Sequence, residues 1–119
     1  MSKKILVVDD DPPITKGIEM VLNNAGYTTA ITLKGEETIG LVNSFKPDLI
    51  LLDAMLAGLD GREIAKVLKT TEETKNIPIV LISANQYMEK DIASYGIDTF
   101  VSKPFSSGHL LRIIDKYTQ

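Results

Sequence analysis

The sequence predicts an α/β protein: five parallel strands in one sheet, in the order 2-1-3-4-5, with helices on both faces. Short apolar runs alternate from end to end with segments whose apolar residues recur at helical spacing. Such alternation implies parallel strands joined by right-handed crossovers. The first, third and fourth runs are the most apolar, so they belong in the centre of the sheet. The second is weak and rich in threonine, which suits an edge. A doubly wound sheet of this order binds ligands beyond the carboxyl ends of its strands.

Each element has its own signal. Ile5-Leu6-Val7-Val8 is a β-branched run that stops at Asp9-Asp10-Asp11. Ile14, Ile18, Val21, Leu22 and Ala25 then follow helical spacing, and Gly26 stands where a helix ends. Tyr27 to Ile31 is the weak strand. Thr38, Leu41, Val42 and Phe45 form a second helical stripe closed by Lys46-Pro47. Leu49-Ile50-Leu51-Leu52 is a continuous apolar run, as expected of a strand covered on both faces. Gly61, Ile64, Ala65 and Leu68 mark a third helix. Pro78 precedes the run Ile79-Val80-Leu81-Ile82. Met88, Ile92 and Tyr95 predict a fourth helix ended by Gly96. Ile97 to Val101 is the last strand, and Leu110, Ile113, Ile114 and Tyr117 make the fifth helix.

The 119 residues fit one domain, residues 1–119, with a single core. The 44% apolar and 24% charged content is that of a soluble globular chain. No apolar run approaches a membrane span, and the first one ends at three aspartates, unlike a secretory signal. The absence of cysteine removes disulfides and thiolate chemistry and is compatible with a cytoplasmic location. A net charge of −3, with the thirteen Lys and Arg scattered, argues against gripping nucleic acid.

The strand ends hold the reactive groups. The first strand ends at Asp9, Asp10 and Asp11, the third at Asp53, and the fourth at Ser83; Lys103 follows the fifth. Neighbouring strands lie about 4.8 Å apart, so the carboxylates of the first and third converge and raise one another's pKa unless a cation intervenes. A hard cation with oxygen ligands fits, and Mg²⁺ suits best because it uses few carboxylates and accepts a phosphoryl oxygen. A carboxylate nucleophile, a divalent cation, a Lys and a hydroxyl make a phosphoryl-transfer constellation with Asp53 attacking in line. Asp11 before Pro12-Pro13 and Asp60 before Gly61 read as helix starts. His109, the single histidine, reads as a surface or helix-start residue.

Four motifs in order, ILVVDDDP, LLDAMLAGLDG, LISA and SKPF, make the chain resemble the receiver domain of response regulators over essentially its whole length. This family is flavodoxin-like, (βα)5, and is itself known for the order 2-1-3-4-5. The resemblance implies a switch rather than a turnover enzyme, phosphorylated on Asp53 and promoting only its own phosphorylation and dephosphorylation. By position, Asp10 resembles the direct Mg²⁺ ligand, with Mn²⁺ able to substitute. Asp9 resembles a secondary ligand, and Met55 would lend its backbone carbonyl. Ser83 and Lys103 resemble the switch hydroxyl and the phosphate-pairing Lys, and Lys103-Pro104 the family's cis peptide. Phe100 stands where the family has its rotating aromatic.

The implied partners are a sensor histidine kinase or histidine phosphotransfer protein and a downstream protein target. The latter would be met by the fourth helix, fifth strand and fifth helix, with the chain a monomer or a phosphorylation-dependent dimer. Ala57 departs from the family's usual Pro, which implies a somewhat looser loop. A receiver-like scaffold that binds a partner without phosphorylation is the rival reading. A flavin domain lacks its phosphate loop here, and a phosphatase lacks its cap domain.

Overall fold

The structure is a computed structural model and describes residues 2–119. Among the described residues the strands are β1 (Lys4–Val8), β2 (Thr28–Thr32), β3 (Leu49–Asp53), β4 (Met55–Leu56), β5 (Leu59–Asp60), β6 (Ile79–Ser83) and β7 (Thr99–Ser102). Five of them form one parallel sheet in the order β2-β1-β3-β6-β7. Counting only those five, the order is 2-1-3-4-5, as expected. Every residue of β3 and β6 is buried, whereas β2 is mostly half-exposed at its edge. The remaining pair, β4 and β5, makes a small antiparallel hairpin that the sequence reading did not anticipate.

The period of two along the strands sends alternate side chains to opposite faces. Ile5, Val7, Leu49 and Leu51 pack on one face with Ile18 and Leu22 of α1 (Pro12–Asn24). A later helix, spanning Ser107–Tyr117, covers the same face through Leu110 and Ile114. Leu6, Val8, Ile50 and Leu52 point the other way, against Val42 of α2 (Thr38–Phe45) and Ala65 and Leu68 of α3 (Gly61–Lys69). The Ser107–Tyr117 helix is α4.

Helix ends follow from local chemistry. Asp11 caps α1 by accepting from the Ile14 N–H at 3.3 Å, and Pro12 and Pro13 fill the first turn, where no N–H is needed. Ser106 caps α4 through the His109 N–H, so the single histidine lies at a helix start, as read. At the end of α2, Lys46 takes a left-handed φ of 53°. Pro47 accounts for the helix stopping here, because a residue before proline is pushed out of the α region.

The fourth helix departs from expectation. Gln86–Tyr95 is a ten-residue 3₁₀ segment, capped by Asn85 and closed by Gly96 at φ 77°. Such runs rarely exceed 3–4 residues. Only Met88 of the ten is buried, so little packing holds the segment to α pitch. No helix of the described residues is long and apolar enough to cross a membrane.

Gly61 fixes how β3 hands over to α3. Its N–H donates to the Ala54 carbonyl at 2.8 Å, and a Cβ there would lie 2.1 Å from the Asp53 carbonyl oxygen. Backbone cannot yield to such a contact as a side-chain tip can. Gly61→Ala should therefore destabilise the protein by about 3 kcal/mol or more, read as a lower urea midpoint. An unchanged midpoint would mean that the close approach constrains nothing.

Candidate functional site

The parallel register brings the acids together. Val8 pairs with Leu52, and the Asp9 N–H continues the β1 ladder to the Thr32 carbonyl, so Asp9 comes level with Asp53. On the other side Asp53 pairs with Ile82, and Ser83 with Ser102. The Lys103 N–H donates to the Ser83 carbonyl at 2.9 Å, anchoring the loop that carries the ammonium. The Lys103–Pro104 peptide is cis. Asp9, Asp10, Asp53, Ser83 and Lys103 thus occupy one rim, at the carboxyl ends of the central strands.

Within the rim, Asp9, Asp10 and Asp53 each offer a carboxylate oxygen within 4.8 Å of the others. Asp9 and Asp53 are buried, while Asp10 is exposed. Lys103 Nζ donates to Asp9 Oδ2 at 2.9 Å and to Asp53 Oδ2 at 3.4 Å. The other oxygen of Asp9 accepts from the Asp11 N–H, and that of Asp53 from the Met55 N–H at 3.3 Å. One ammonium reaches two of the three carboxylates, all of them hard oxygen donors. This donor set fits a divalent cation that prefers oxygen.

Electrostatics follow the geometry. Burial, reinforced by the charge of Asp9, raises the Asp53 carboxyl from 3.8 to about 6 against the opposing pull of Lys103 and the Met55 N–H. For Lys103, burial works against the ammonium. Its hydrogen bond to Asp9 and the charges of Asp53 and Asp9 outweigh that and raise its pKa.

The switch candidates lie beside this cluster. Ser83 is buried; its hydroxyl accepts from the Asn85 N–H at 3.0 Å and donates toward Met88 Sδ at 3.5 Å. Phe100 is half-buried and packs against the core on the α2–α3 face. Met55 opens β4, two residues beyond Asp53, with its side chain exposed.

Ala57 lies in a tight turn rather than an irregular loop. It and Gly58 are the two turn residues of the β4–β5 hairpin, at φ 44° and 91°, the positive φ values that a type I′ turn requires. The Ala57 N–H donates to Asp10 Oδ2 at 2.9 Å. A proline has neither that φ nor that donor. The dipeptide Ala57-Gly58 between Leu56 and Leu59 was the available signal, and a weak one, because alanine rarely takes a left-handed conformation. Arg62 also escaped the sequence reading. It binds the α3 cap Asp60 through Nε and Nη2 and lies over the Tyr95 ring, 5.1 Å from its centroid, tying the 3₁₀ segment to α3.

The raised Asp53 carboxyl has a consequence for stability. The folded protein binds more protons than the unfolded chain between pH 3.8 and about 6, so without metal its stability falls as pH rises through that window. Asp53→Asn removes the penalty. In a chelator at pH 7.5 the variant should be more stable than wild type by about 1–3 kcal/mol, and the gain should vanish near pH 4. Urea unfolding at the two pH values decides it; equal stability at pH 7.5 would rule out the carboxylate crowding.

The model of the response regulator receiver domain matches residues 5–115. The phosphate regulon transcriptional regulatory protein PhoB of Pseudomonas aeruginosa is 38% identical over 113 residues, which are 93% of this chain and 49% of that protein. The chain spans about half the length of the curated relatives it matches. The Francisella response regulator 1452 receiver domain superposes with a TM-score of 0.88 at 28% identity, covering 98% of this chain and 97% of that one. The chemotaxis response regulator CheY4 of Vibrio cholerae has the same fold, with a TM-score of 0.91 at 23% identity, covering 98% and 99%. A family match that runs from β1 into α4, over a sheet of this order with its acids gathered at one rim, leads to a single conclusion: the chain belongs to the response regulator receiver domain family.

Proposed function

We propose that the chain works as a phosphorylation-dependent switch, with Asp53 as phosphoacceptor and Mg²⁺ as cofactor. The observation that carries this reading is the buried Asp53 carboxylate sharing Lys103 with Asp9, beside the exposed carboxylate of Asp10. Asp9, Asp10 and Asp53, with the Met55 carbonyl, would hold Mg²⁺. Once bound, the ion supplies positive charge that keeps Asp53 ionised and offsets charge on phosphoryl oxygens.

The chain's own groups do the rest. An Asp53 carboxylate oxygen attacks the phosphorus of a phosphohistidine; the new P–O bond forms as the P–N bond breaks, and its electron pair stays on the leaving imidazole. Lys103 already lies within 3.4 Å of Asp53, so its ammonium neutralises phosphoryl charge without a large movement. Ser83 turns its hydroxyl from Met88 to a phosphoryl oxygen, drawing the 3₁₀ segment with it. Phe100 follows inward, held by packing, since it has no phenol to bond.

The donor is a histidine kinase or histidine phosphotransfer protein. Residues 1–119 act as one receiver unit in the cytoplasm, as a monomer or a phosphorylation-dependent dimer. A downstream protein meets the surface made by the 3₁₀ segment, β7 and α4. PhoB, a relative of this chain, is a transcriptional regulatory protein by name, but the net charge of −3 argues against nucleic-acid contact by this chain itself.

The reading is tested by incubating the protein with a small-molecule phosphodonor, with and without Mg²⁺, and recording intact masses. Wild type should gain one phosphoryl group only with Mg²⁺, and Asp53→Asn should gain none. An adduct of equal yield on the Asp53→Asn variant would move the acceptor elsewhere.

A further inference from the structure

Asp10 differs from the two acids beside it. Asp9 and Asp53 share the Lys103 ammonium, whereas Asp10 has no ion pair among the described residues. Its partner is neutral: the Ala57 N–H, 47 positions away, at 2.9 Å from Oδ2. That N–H reaches Asp10 from a two-residue turn in which Ala57 holds φ 44°, with Gly58 at 91°. A left-handed alanine is disfavoured, and such a residue persists only where its surroundings compensate. Here two groups compensate, the β4–β5 ladder and the charge-assisted bond to Asp10. The bond ties the one exposed carboxylate of the cluster to the hairpin.

We propose that Ala57 is a positioning residue that latches Asp10 in the metal-free state, so that Mg²⁺ competes with its N–H for the carboxylate. This rests on the proposed cation at the acidic rim. Displacement removes one of the two groups that hold Ala57 left-handed, so metal loading is transmitted to the hairpin and, through Asp60 at its far end, to the start of α3. The conformation of residue 57 therefore sets how readily the rim takes a cation.

The latch is tested by Mg²⁺ titration calorimetry on wild type, Ala57→Gly and Ala57→Pro. Glycine takes positive φ freely and keeps the N–H, so it should strengthen the latch and weaken Mg²⁺ binding, by roughly two- to fivefold. Proline takes neither and should tighten binding. Amide hydrogen exchange at Ala57 in wild type should be slow without metal and faster at saturating Mg²⁺. Should the proline variant fail to fold, the glycine variant and the exchange measurement still decide. Equal affinities, or the reverse order, with normal Mg²⁺ binding by wild type would overturn the latch alone. No Mg²⁺ binding by wild type would overturn both the latch and the proposed cofactor.

Discussion

Three carboxylates stand at one end of the sheet within reach of a single ion, and two of them are out of water. Burying charge is costly unless it is paired, and like charges at this spacing resist ionising together. Lys103 provides one positive charge against three negative, leaving a surplus of two, which is the charge of one divalent cation. Everything around the rim bears on that imbalance. The parallel register sets Asp9 level with Asp53, and the backbone bond from Lys103 to Ser83 holds the ammonium between them. The fully buried strands β3 and β6 hold Asp53 in place from below. A fold with a softer centre would let the acids drift apart.

The same rim joins rigid and loose parts of the molecule. Asp53 and Ser83 end strands whose residues are all buried, so their backbones have nowhere to go. Ser83 also touches Met88, the one buried residue of the 3₁₀ segment, and Asp10 touches the turn of a short hairpin, residues 55–60. Segments with few buried contacts open and shift at low cost. A change of charge at the rim thus meets stiff support on the sheet side and compliant elements on the solvent side. That contrast favours a switch over a static binding site.

Much of this was legible in the sequence, because it depends on composition along the chain. Continuous apolar runs gave β1, β3 and β6 to within a residue, and the threonine-rich second run gave the edge strand. Asp11 and Asp60 were readable as caps because a short acidic side chain before a helical stripe has few other uses. What escaped depends on contacts between distant segments. Nothing local separates the fourth helix from the others; its 3₁₀ pitch reflects how little of it is buried. The need for glycine at position 61 comes from the Asp53 carbonyl pressed against it, and the φ of Ala57 from Asp10 across the rim.

The run Asp9-Asp10-Asp11 shows how far identical residues diverge once the backbone is laid down. Asp9 ends the ladder of β1 and, one residue beyond Val8, turns inward to a buried ion pair with Lys103. Asp11 is the last residue before α1, and its carboxylate accepts from the Ile14 N–H, as a cap must. Its own N–H donates to Asp9 Oδ1, so the cap and the ion pair brace each other. Asp10, between them, is bound by neither the sheet nor the helix. It is exposed and answers only to the hairpin amide. A carboxylate that takes part in an acidic cluster yet has no fixed cation is the member best able to move when the charge of the cluster changes. Of three identical side chains, the fold therefore makes one a structural counter-ion, one a helix cap, and leaves one free to respond.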